Sequence, residues 1–285
     1  MALGVIGGSG LYGMKELRVL KTQKIKTPFG APSDSYVFGN LNGKDVIFLP
    51  RHGKGHRILP SELNFRANIF GFKKLGVKRI LSVSAVGSLK KEIHPGHIVF
   101  PDQFIDRTFA RNSTFFGNGV VAHVSFADPI CKDLLKTTSA AAQRAGAVVH
   151  TGGTYVNMEG PQFSTRAESN LYRSWGASVI GMTNLNEAKL AREAEICYAT
   201  IALSTDYDCW YEEEEEVSTS AILEVIKKNV AMSQKIIMEA VRDIGDGVCP
   251  AGCHKMLANT IMTDPTKIPT KTKKNLKPII GKYIK

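Results

Sequence analysis

The sequence predicts a single α/β domain whose β-sheet is covered by helices on both faces. Short apolar runs with β-branched residues alternate with segments of helical spacing, and no Pro-, Ser- or Gly-rich linker divides the chain. The length of 285 residues suits one large domain. A content of 43% hydrophobic and 22% charged residues, with a mean hydropathy of −0.09, argues against disorder and a fibrous repeat.

The predicted strands are short runs rich in aliphatic and aromatic side chains. They cover residues 2–6, 35–38, 45–49, 79–84, 97–100, 179–182 and 197–204. The predicted helices have apolar residues three and four positions apart. They cover residues 61–75, 128–146, 165–175, 186–195 and 219–244.

Two of these helices have sequence signals for their first turn. Asp128 followed by Pro129 predicts an N-cap and a first-turn proline. In the other helix, Ser164 or Thr165 is the expected cap, with Glu168 in the capping-box position if Thr165 is the cap. Five successive glutamates, 212–216, are expected to form a solvated helix start, which the helix dipole favours.

The net charge of +11, from 37 basic and 26 acidic residues, is concentrated in a C-terminal tail. Residues 265–285 contain seven lysines and no acid, which leaves +4 on the rest of the chain. We expect a basic helix and a following segment whose charged side chains are solvated and whose apolar residues pack on the rest of the domain. Contact with nucleic acid is the less favoured alternative. The domain prediction is therefore an α/β domain over 1–245 and a basic helical extension over 246–285, packed on it.

The chain is expected to be cytoplasmic. The longest apolar runs are shorter than the roughly 18 residues of a membrane span, and the N-terminus lacks the basic region of a signal peptide. We expect neither a membrane nor a nucleic acid as partner.

The cysteines are expected to be reduced thiols that bind no metal. The sequence has five, an odd number in a chain without an evident leader: Cys131, Cys197, Cys209, Cys249 and Cys253. The last two, with His254, form C-x3-C-H, but zinc needs about four ligands and no second cluster in the sequence completes the set. A redox-labile pair is the alternative.

A glycine turn follows the first predicted strand. Gly8, Gly10 and Gly13 satisfy G-x-G-x-x-G, which suggests dinucleotide binding, but the expected helix and the acidic residue about 20 positions later are missing. An NAD-linked dehydrogenase is therefore a minor alternative. The turn still exposes backbone N–H groups beside the Ser9 hydroxyl, which suits a phosphate; a merely structural turn is the other interpretation.

Two further strand ends carry groups that suit an anion. Arg51 follows one strand and can hold a phosphate bidentately, while His52 beside it can add a second donor. Another strand ends in the small residues 82–88, with hydroxyls and backbone amides. Because ligands bind beyond the carboxyl ends of strands in α/β sheets, we expect these ends to form one anion site.

Two other segments suit a heterocyclic base. Phe163 and Ser164 precede a helix and can offer a stacking face and a hydrogen bond. Asp206 and Asp208 follow a buried strand, where carboxyls are costly to desolvate unless they are paired or used. Burial raises the pKa of a carboxyl, so that it can donate a proton to a leaving group. Helix capping is the alternative for all of them.

Six segments together resemble the trimeric purine nucleoside phosphorylase and methylthioadenosine phosphorylase family. They are GVIGGSGL, LPRHGKGH, SVSAVGSL, EGPQFSTRAES, GMTNLNEAKLA and STDYDCW, in the family's order and spacing over about residues 3–244. The resemblance implies a central mixed β-sheet flanked by helices, the nucleoside phosphorylase fold. It also implies a homotrimer, or a dimer of trimers.

The resemblance implies a role for each matched residue. The phosphate ligands would be Ser9, Arg51, His52, Ser84, Ala85 and Thr183. Asp206 and Asp208 would be the catalytic acids that face the purine. The other substrate contacts would be Phe163 and Ser164 at the base, Met182 under the ribose, and His123 of a neighbouring subunit with Thr219, Ile222 and Leu223 at the 5′ end.

The activity that the resemblance implies is phosphorolysis of a purine nucleoside, with inorganic phosphate as co-substrate and no metal or organic cofactor. Carboxylates accept hydrogen bonds from a 6-amino group, so Asp206 and Asp208 favour adenine. Ile222 and Leu223 suit a thioether better than a free 5′-hydroxyl. The expected reaction is cleavage of S-methyl-5′-thioadenosine to adenine and 5-methylthioribose 1-phosphate, a purine and methionine salvage step; a phosphorylase for 6-oxopurine or broad purine nucleosides is the alternative.

Overall fold

The computed structural model describes residues 2–8, 10–211 and 219–284, with the side chains of Tyr12 and of residues 219–223 also left out. The described residues form a mixed sheet of eleven strands with helices packed against it. This confirms the predicted α/β fold with a central mixed sheet. The glutamate run 212–216 lies outside the described residues. No helix in the described part of the chain is long and apolar enough to cross a membrane.

Four parallel strands form the centre of the sheet: β1 (Leu3–Gly7), β4 (Lys44–Pro50), β5 (Arg79–Ser88) and β11 (Cys197–Asp206). Strand β1 pairs with β4 and β5, and β5 pairs along most of its length with β11. Parallel strands bring their carboxyl ends to the same edge of a sheet, so the segments after these strands become neighbours.

The remaining strands extend the sheet on both sides. Strands β2 (Arg18–Gln23) and β3 (Tyr36–Leu41) add to β4 as an antiparallel edge. On the other side, β10 (Val179–Gly181) pairs with the end of β5 and leads to β9 (Thr154–Met158) and β7 (Gln103–Arg107). Strands β6 (Ile98–Phe100) and β8 (Val149–Thr151) continue outward from β11.

Six helices are described, and they group into pairs. They are α1 (Phe65–Lys74), α2 (Lys132–Arg144), α3 (Arg166–Ser174), α4 (Asn184–Glu193), α5 (Thr219–Asp243) and α6 (Thr270–Ile280). Helix α2 packs against α5 and α1 against α4, and α2, α4 and α5 all contact β11.

The helix ends correct two sequence predictions and confirm one. Thr165 caps α3 through a reciprocal capping box with Glu168, as predicted. Asp128 does not cap α2: the Cys131 N–H donates to the Tyr198 carbonyl at 2.9 Å, which holds the chain extended against β11 until the helix begins at Lys132. Helix α4 begins at Asn184, two residues earlier than predicted.

Four strands were not predicted, because their residues lack the apolar pattern of a buried strand. All six residues of β2 are exposed, since the strand lies at the sheet edge. Strand β8 has only three residues, and β7 and β9 contain polar residues between apolar ones. Strand β2 also explains the glycine turn. Residues 10–26 form a 3-10 turn and an edge strand in place of the helix that a dinucleotide-binding unit requires.

The C-terminal helix packs into the main hydrophobic core. Leu276, Ile279 and Ile280 of α6 are each at most 2% exposed, and Tyr283 and Ile284 pack against them. The basic tail thus contacts the core through its apolar residues. The division of the chain at residue 245 stays a prediction.

The structure corrects the prediction that nothing completes the Cys249 and Cys253 pair. Cys131 and Cys197, far away in the sequence, lie beside them, and all four sulfurs are within 4.8 Å of one another. Sequence spacing could not reveal this group, because the fold brings its members together from three distant parts of the chain.

Candidate active site

The three strand ends that the sequence marked as an anion site do meet. The Arg51 backbone N–H, just after β4, donates to the Gly7 carbonyl at the end of β1 at 2.9 Å. The Arg51 side chain reaches β5, where Nη1 donates to the Val83 carbonyl at 2.8 Å and Nη2 to the Ser82 hydroxyl at 2.6 Å. The carboxyl ends of β1 and β4 therefore meet beside Ser82 and Val83, in the middle of β5.

Arg51 is buried and held by an ion pair with Glu187 of α4. Its Nε lies 2.6 Å from Glu187 Oε1, and its Nη2 lies 3.3 Å from Oε2. Both side chains are almost inaccessible, at 3% and 1% exposed. Burial alone would lower the pKa of Arg51, but the Glu187 carboxylate more than compensates, and the pKa is raised.

The Glu187 pair corrects the expected bidentate grip on phosphate. Nε and one Nη2 hydrogen point at Glu187. The second Nη2 hydrogen goes to Ser82 and one Nη1 hydrogen to the Val83 carbonyl, so the other Nη1 hydrogen is left without a partner among the described residues. Arg51 can thus offer an anion a single N–H in this conformation. Its main contribution is a single fixed N–H donor, because Glu187 neutralises the guanidinium charge.

His52 also differs from expectation. Its ring hydrogen is on Nδ1, where a backbone carbonyl accepts it, so the neutral ring has no second N–H to donate to an anion. Nδ1 lies 2.8 Å from the Ile58 carbonyl, which can only accept, so Nδ1 carries the hydrogen. Burial and the Arg51 charge lower the pKa of His52 to about 4. At neutral pH the ring is neutral and presents Nε2 as an acceptor, which suits the O–H of a protonated phosphate oxygen.

Asn184, the first residue of α4, connects the remaining anion-site hydroxyls. Its Oδ1 accepts hydrogen bonds from Ser84 at 2.7 Å, Tyr155 at 3.0 Å and Thr183 at 3.4 Å. Its Nδ2 donates toward three further oxygens on β5 and β11, those of Ser82, Tyr198 and Thr200, at 3.0 to 3.1 Å. This buried network fixes Ser84 and Thr183 beside each other and connects them to the Arg51 ion pair.

The two carboxyls after β11 have different surroundings. Asp206 is exposed; its Oδ2 accepts from the Thr205 hydroxyl at 2.7 Å and its Oδ1 from the Asp208 N–H at 2.8 Å. Asp208 is half-buried, and its pKa is raised. Burial is the main cause and the neighbouring Asp206 charge adds to it, whereas the Ser169 side chain acts to lower the pKa. Burial of Asp208 therefore favours its protonated form relative to a solvated aspartate.

A bulge and a glycine place Asp206 against β5. The register of β11 shifts between Ser204 and Asp206, so Asp206 lies opposite Gly87. A Cβ at Gly87 would come within 3.0 Å of Asp206 Oδ1, closer than a side chain can approach without movement. The glycine therefore makes room for the carboxylate at the strand end.

Glu159 and Arg111 fix the loop that carries Phe163 and Ser164. Glu159 accepts from the Ser61 hydroxyl at 2.6 Å, the Phe109 N–H at 2.8 Å and Arg111 Nε at 3.0 Å. Despite burial, these bonds lower the pKa of Glu159 to about 2. Arg111 also donates to the Met182 carbonyl, so the loop and the segment after β10 are joined.

The base-contact candidates lie near the carboxyl pair. The Ser164 carbonyl accepts from the Cys209 thiol at 3.3 Å, which places this loop against the 3-10 turn that begins at Asp208. The Met182 sulfur lies next to Gly160 of the same loop. Phe163 is 82% exposed, so its predicted stacking face points away from the packed core.

The remaining predicted site residues have few contacts within the described part of the chain. Ala85 is exposed on β5, next to Ser84, where a ligand can reach it. His123 is exposed, and its N–H donates to the Thr260 carbonyl at 3.0 Å. Ser9 and the side chains of the 5′-end candidates lie outside the described residues; those candidates are Thr219, Ile222 and Leu223 at the start of α5.

The sequence reasoning missed four residues that organise the site. Asn184, Glu187 and Glu159 lie inside the motifs that carried the resemblance, but nothing in their spacing showed which side chains they would bind. Arg111 lies in no motif at all, and only the fold brings it to Glu159.

We expect Glu187→Gln to destabilise the protein by about 3 kcal/mol or more, because it leaves the Arg51 charge buried without its counterion. Urea unfolding of the variant and the wild type measures the difference. The matched control is Asp128→Asn, which breaks an exposed ion pair with Lys132 at 3.1 Å and should cost less than about 1 kcal/mol. Equal losses in the two variants would contradict the role of the buried pair.

Comparisons with known proteins show the family to which the chain belongs. A family model of the phosphorylase superfamily matches residues 2–242. The S-methyl-5′-thioadenosine phosphorylase of Geobacter sulfurreducens is 63% identical over 284 residues, covering 99% of both chains, and that of Koribacter versatilis is 57% identical, covering 99% of this chain and 96% of the relative.

Solved structures give the same result. A methylthioadenosine phosphorylase from an antarctic soil metagenomic library superposes with a TM-score of 0.93 at 48% identity, covering 97% of this chain and 98% of that one. The Schistosoma mansoni methylthioadenosine phosphorylase in complex with adenine superposes with a TM-score of 0.85 at 36% identity, covering 92% of this chain and 99% of that one. The chain therefore belongs to the phosphorylase superfamily, in the same family as these S-methyl-5′-thioadenosine phosphorylases.

Proposed function

We propose that this chain catalyses the phosphorolysis of S-methyl-5′-thioadenosine to adenine and 5-methylthioribose 1-phosphate. The observation that carries the proposal is the convergence of Arg51, Ser84 and Thr183 in one hydrogen-bonded network, with Asp206 and Asp208 at the end of the same central strands. The identity of its relatives over nearly their whole length supports the same substrate.

The phosphate side of the proposed site holds an anion without being strongly basic. Glu187 neutralises Arg51, so the ion pair adds little net charge and the ligand's own charge is balanced by directed donors. These would be the last Nη1 hydrogen of Arg51, the Ala85 amide, and the Ser84 and Thr183 hydroxyls once their hydrogens turn from Asn184 Oδ1 to the ligand. His52 Nε2 would accept the proton that a monohydrogen phosphate carries.

The phosphate would act as nucleophile at the anomeric carbon. As the glycosidic bond lengthens, positive charge develops on the sugar and negative charge on the purine, and the bound phosphate stabilises the sugar. The new bond joins a phosphate oxygen to the anomeric carbon, while the electrons of the C–N bond leave with the purine. Met182 would lie under the ribose.

The carboxyl pair would act on the purine. Asp206 is proposed to donate or share a proton at N7, which makes the purine a better leaving group, a role typically worth about 10²–10⁴-fold in rate. Asp208 would accept a hydrogen bond from the 6-amino group. The direction of its pKa shift favours the protonated form, which is the form that can donate a proton to the base. Phe163 and Ser164 would complete the base pocket.

The 5′ end of the pocket is proposed from the sequence, since Thr219, Ile222 and Leu223 belong to a helix whose first side chains are not described. The reaction needs no metal or organic cofactor, with inorganic phosphate as the only co-substrate. The cytoplasmic location stays a prediction. A 6-oxopurine nucleoside phosphorylase, the alternative substrate class, has no observation in its favour.

Incubation of the purified protein with S-methyl-5′-thioadenosine should release adenine only when inorganic phosphate is present. Chromatography of the products measures adenine and the sugar phosphate, because phosphorolysis and simple hydrolysis differ in that second product. Release of adenine without phosphate, or rapid cleavage of inosine in place of the thioether substrate, would contradict the proposal.

The double variant Asp206→Asn, Asp208→Asn should shift the preference toward 6-oxopurine nucleosides. An amide can donate to a 6-oxo group, whereas a carboxylate can only accept. The ratio of kcat/KM for inosine over S-methyl-5′-thioadenosine should rise by at least about tenfold, which corresponds to one hydrogen bond of about 1.4 kcal/mol. Asp243→Asn, an exposed carboxylate on α5, is the control. An unchanged ratio would show that other groups recognise the purine.

We propose further that the chain is a homotrimer in which His123 completes the site of a neighbouring subunit. His123 is exposed here, and the loops near the site present two exposed aromatic rings, Phe109 at 86% and Phe163 at 82%. The two loops are joined through Glu159, so the rings belong to one region of the surface. Exposed apolar groups of this size commonly mark an interaction site. A dimer of trimers is the larger alternative.

Analytical ultracentrifugation should give a mass of about three times the 31.1 kDa chain. His123→Ala and the double carboxyl variant should each be weakly active, and co-expression of the two should restore part of the activity. Mixed trimers contain sites in which the intact His123 of one chain meets the intact carboxyls of another. A fully active monomer, or no restoration in mixed trimers, would overturn the shared site.

A further inference from the structure

A cluster of four buried cysteines lies outside the proposed active site. The sulfurs of the four are all within 4.8 Å of one another, and the residues are only 3 to 6% exposed. They are Cys131, Cys197, Cys249 and Cys253. No role in the reaction requires them, and a lone buried thiol would serve as a small apolar side chain equally well. Four in one place require another explanation.

The cluster joins three parts of the chain that are distant in sequence. Cys131 precedes α2, and Cys197 is the first residue of β11, where its N–H donates to the Lys78 carbonyl at 2.9 Å. Cys249 and Cys253 belong to the segment between α5 and α6. The four donors are thus carried by a helix start, a central strand and a turn, all held by backbone hydrogen bonds.

The spacing of the sulfurs fits a tetrahedral metal ion better than a disulfide. A zinc–sulfur bond of about 2.3 Å places the sulfurs of a tetrahedral site about 3.8 Å apart, and Cys131 and Cys249 are at 3.6 Å. A disulfide needs about 2.05 Å, and all five cysteines are free in this structure. Small side-chain adjustments would bring four sulfurs at this spread to one ion.

The local backbone also suits a thiolate site. Cys249 and Cys253 are separated by three residues, within the spacing common in zinc sites. Gly252 adopts a left-handed conformation (φ 75°), and its N–H donates to the Cys249 carbonyl at 3.1 Å, which turns the second sulfur back toward the first. Cys131 is at the N-terminus of the 13-residue helix α2, whose dipole favours the negative charge of a four-thiolate site.

We propose that these four cysteines bind one Zn²⁺ ion in a closed, structural site. Four thiolate ligands favour zinc over magnesium and calcium, which prefer oxygen, and elemental analysis distinguishes zinc from iron, the other metal of such sites. Binding forms four Zn–S bonds and releases four protons from the thiols, with no change of oxidation state. All four positions are filled by protein, so no water or substrate can reach the metal.

The position of the site on β11 gives its role. Cys197 is the first residue of this ten-residue strand, and Asp206 is the last. The ion would therefore lie at the end of the sheet opposite the proposed active site, too far to take part in chemistry. It would attach the segment after α5, which leads to α6, to the central strand and to α2. The metal would stabilise the C-terminal segment and leave the reaction metal-free.

Elemental analysis of the protein, purified without chelator, should find about one zinc ion per chain. Addition of a mercurial reagent to the native protein should release that zinc to a chromogenic chelator as the thiols react. Replacement by Co²⁺ should give the intense near-ultraviolet absorption and visible bands of tetrahedral thiolate cobalt. Removal of zinc should lower the melting temperature and expose the segment after α5 to protease.

Cys249→Ser and Cys253→Ser should each lower the zinc content at least severalfold. Cys209→Ser is the matched control, because its sulfur lies outside the cluster, near the Ser164 carbonyl, and the zinc content should stay at about one. Less than about a tenth of an ion in the wild type, with no cobalt spectrum, would overturn the proposal. A mass lower by about four hydrogens, from two disulfides, would overturn it equally. The wild-type measurements decide the question even if a serine variant fails to fold.

Discussion

The buried ion pair between Arg51 and Glu187 is the interaction on which the site depends. It joins the segment after β4 to α4, and its other hydrogen bonds reach β5 and β11 through Ser82 and Tyr198. A charged pair taken out of water is costly unless every lone pair and proton finds a partner. Here the Ser82 and Tyr198 hydroxyls and the Val83 carbonyl supply all but one of those partners, and the exception is a single Nη1 hydrogen of Arg51. The arrangement therefore tolerates few local changes, and the strand ends keep fixed positions.

This rigidity suits a site that must hold an anion beneath a neutral sugar. A mobile arginine would lose side-chain entropy when it bound an anion. Arg51 has already lost that entropy on folding, so binding does not have to order it. Asn184 acts in the same way for Ser84 and Thr183, since its single oxygen holds both hydroxyls. Preorganised donors of this kind are the usual source of electrostatic stabilisation in enzymes.

The sequence predicted the parts of the fold and site that depend on local pattern. The central strands and most helices have apolar periodicity, and Arg51, Ser84 and the carboxyl pair follow strands, so their meeting could be expected. Glu187, Asn184 and Arg111 could not be identified, because their function depends on which side chain faces them across the sheet. The neutral state of His52 has the same origin: the Ile58 carbonyl that fixes its tautomer is six residues away, in a turn whose geometry spacing does not predict.

Strand β11 shows how one element can serve chemistry and stability at opposite ends. Its middle residues are buried and apolar, and they pair with β5 over nearly its whole length. A shift at its first residue would therefore be transmitted to Asp206 through a strand that cannot bend without breaking that pairing. The register bulge after Ser204 is the single point where the ladder relaxes, and it lies next to the carboxylates. Fixing Cys197 by a metal would thus set the position of the strand, and the bulge at its other end sets Asp206 against Gly87 of β5.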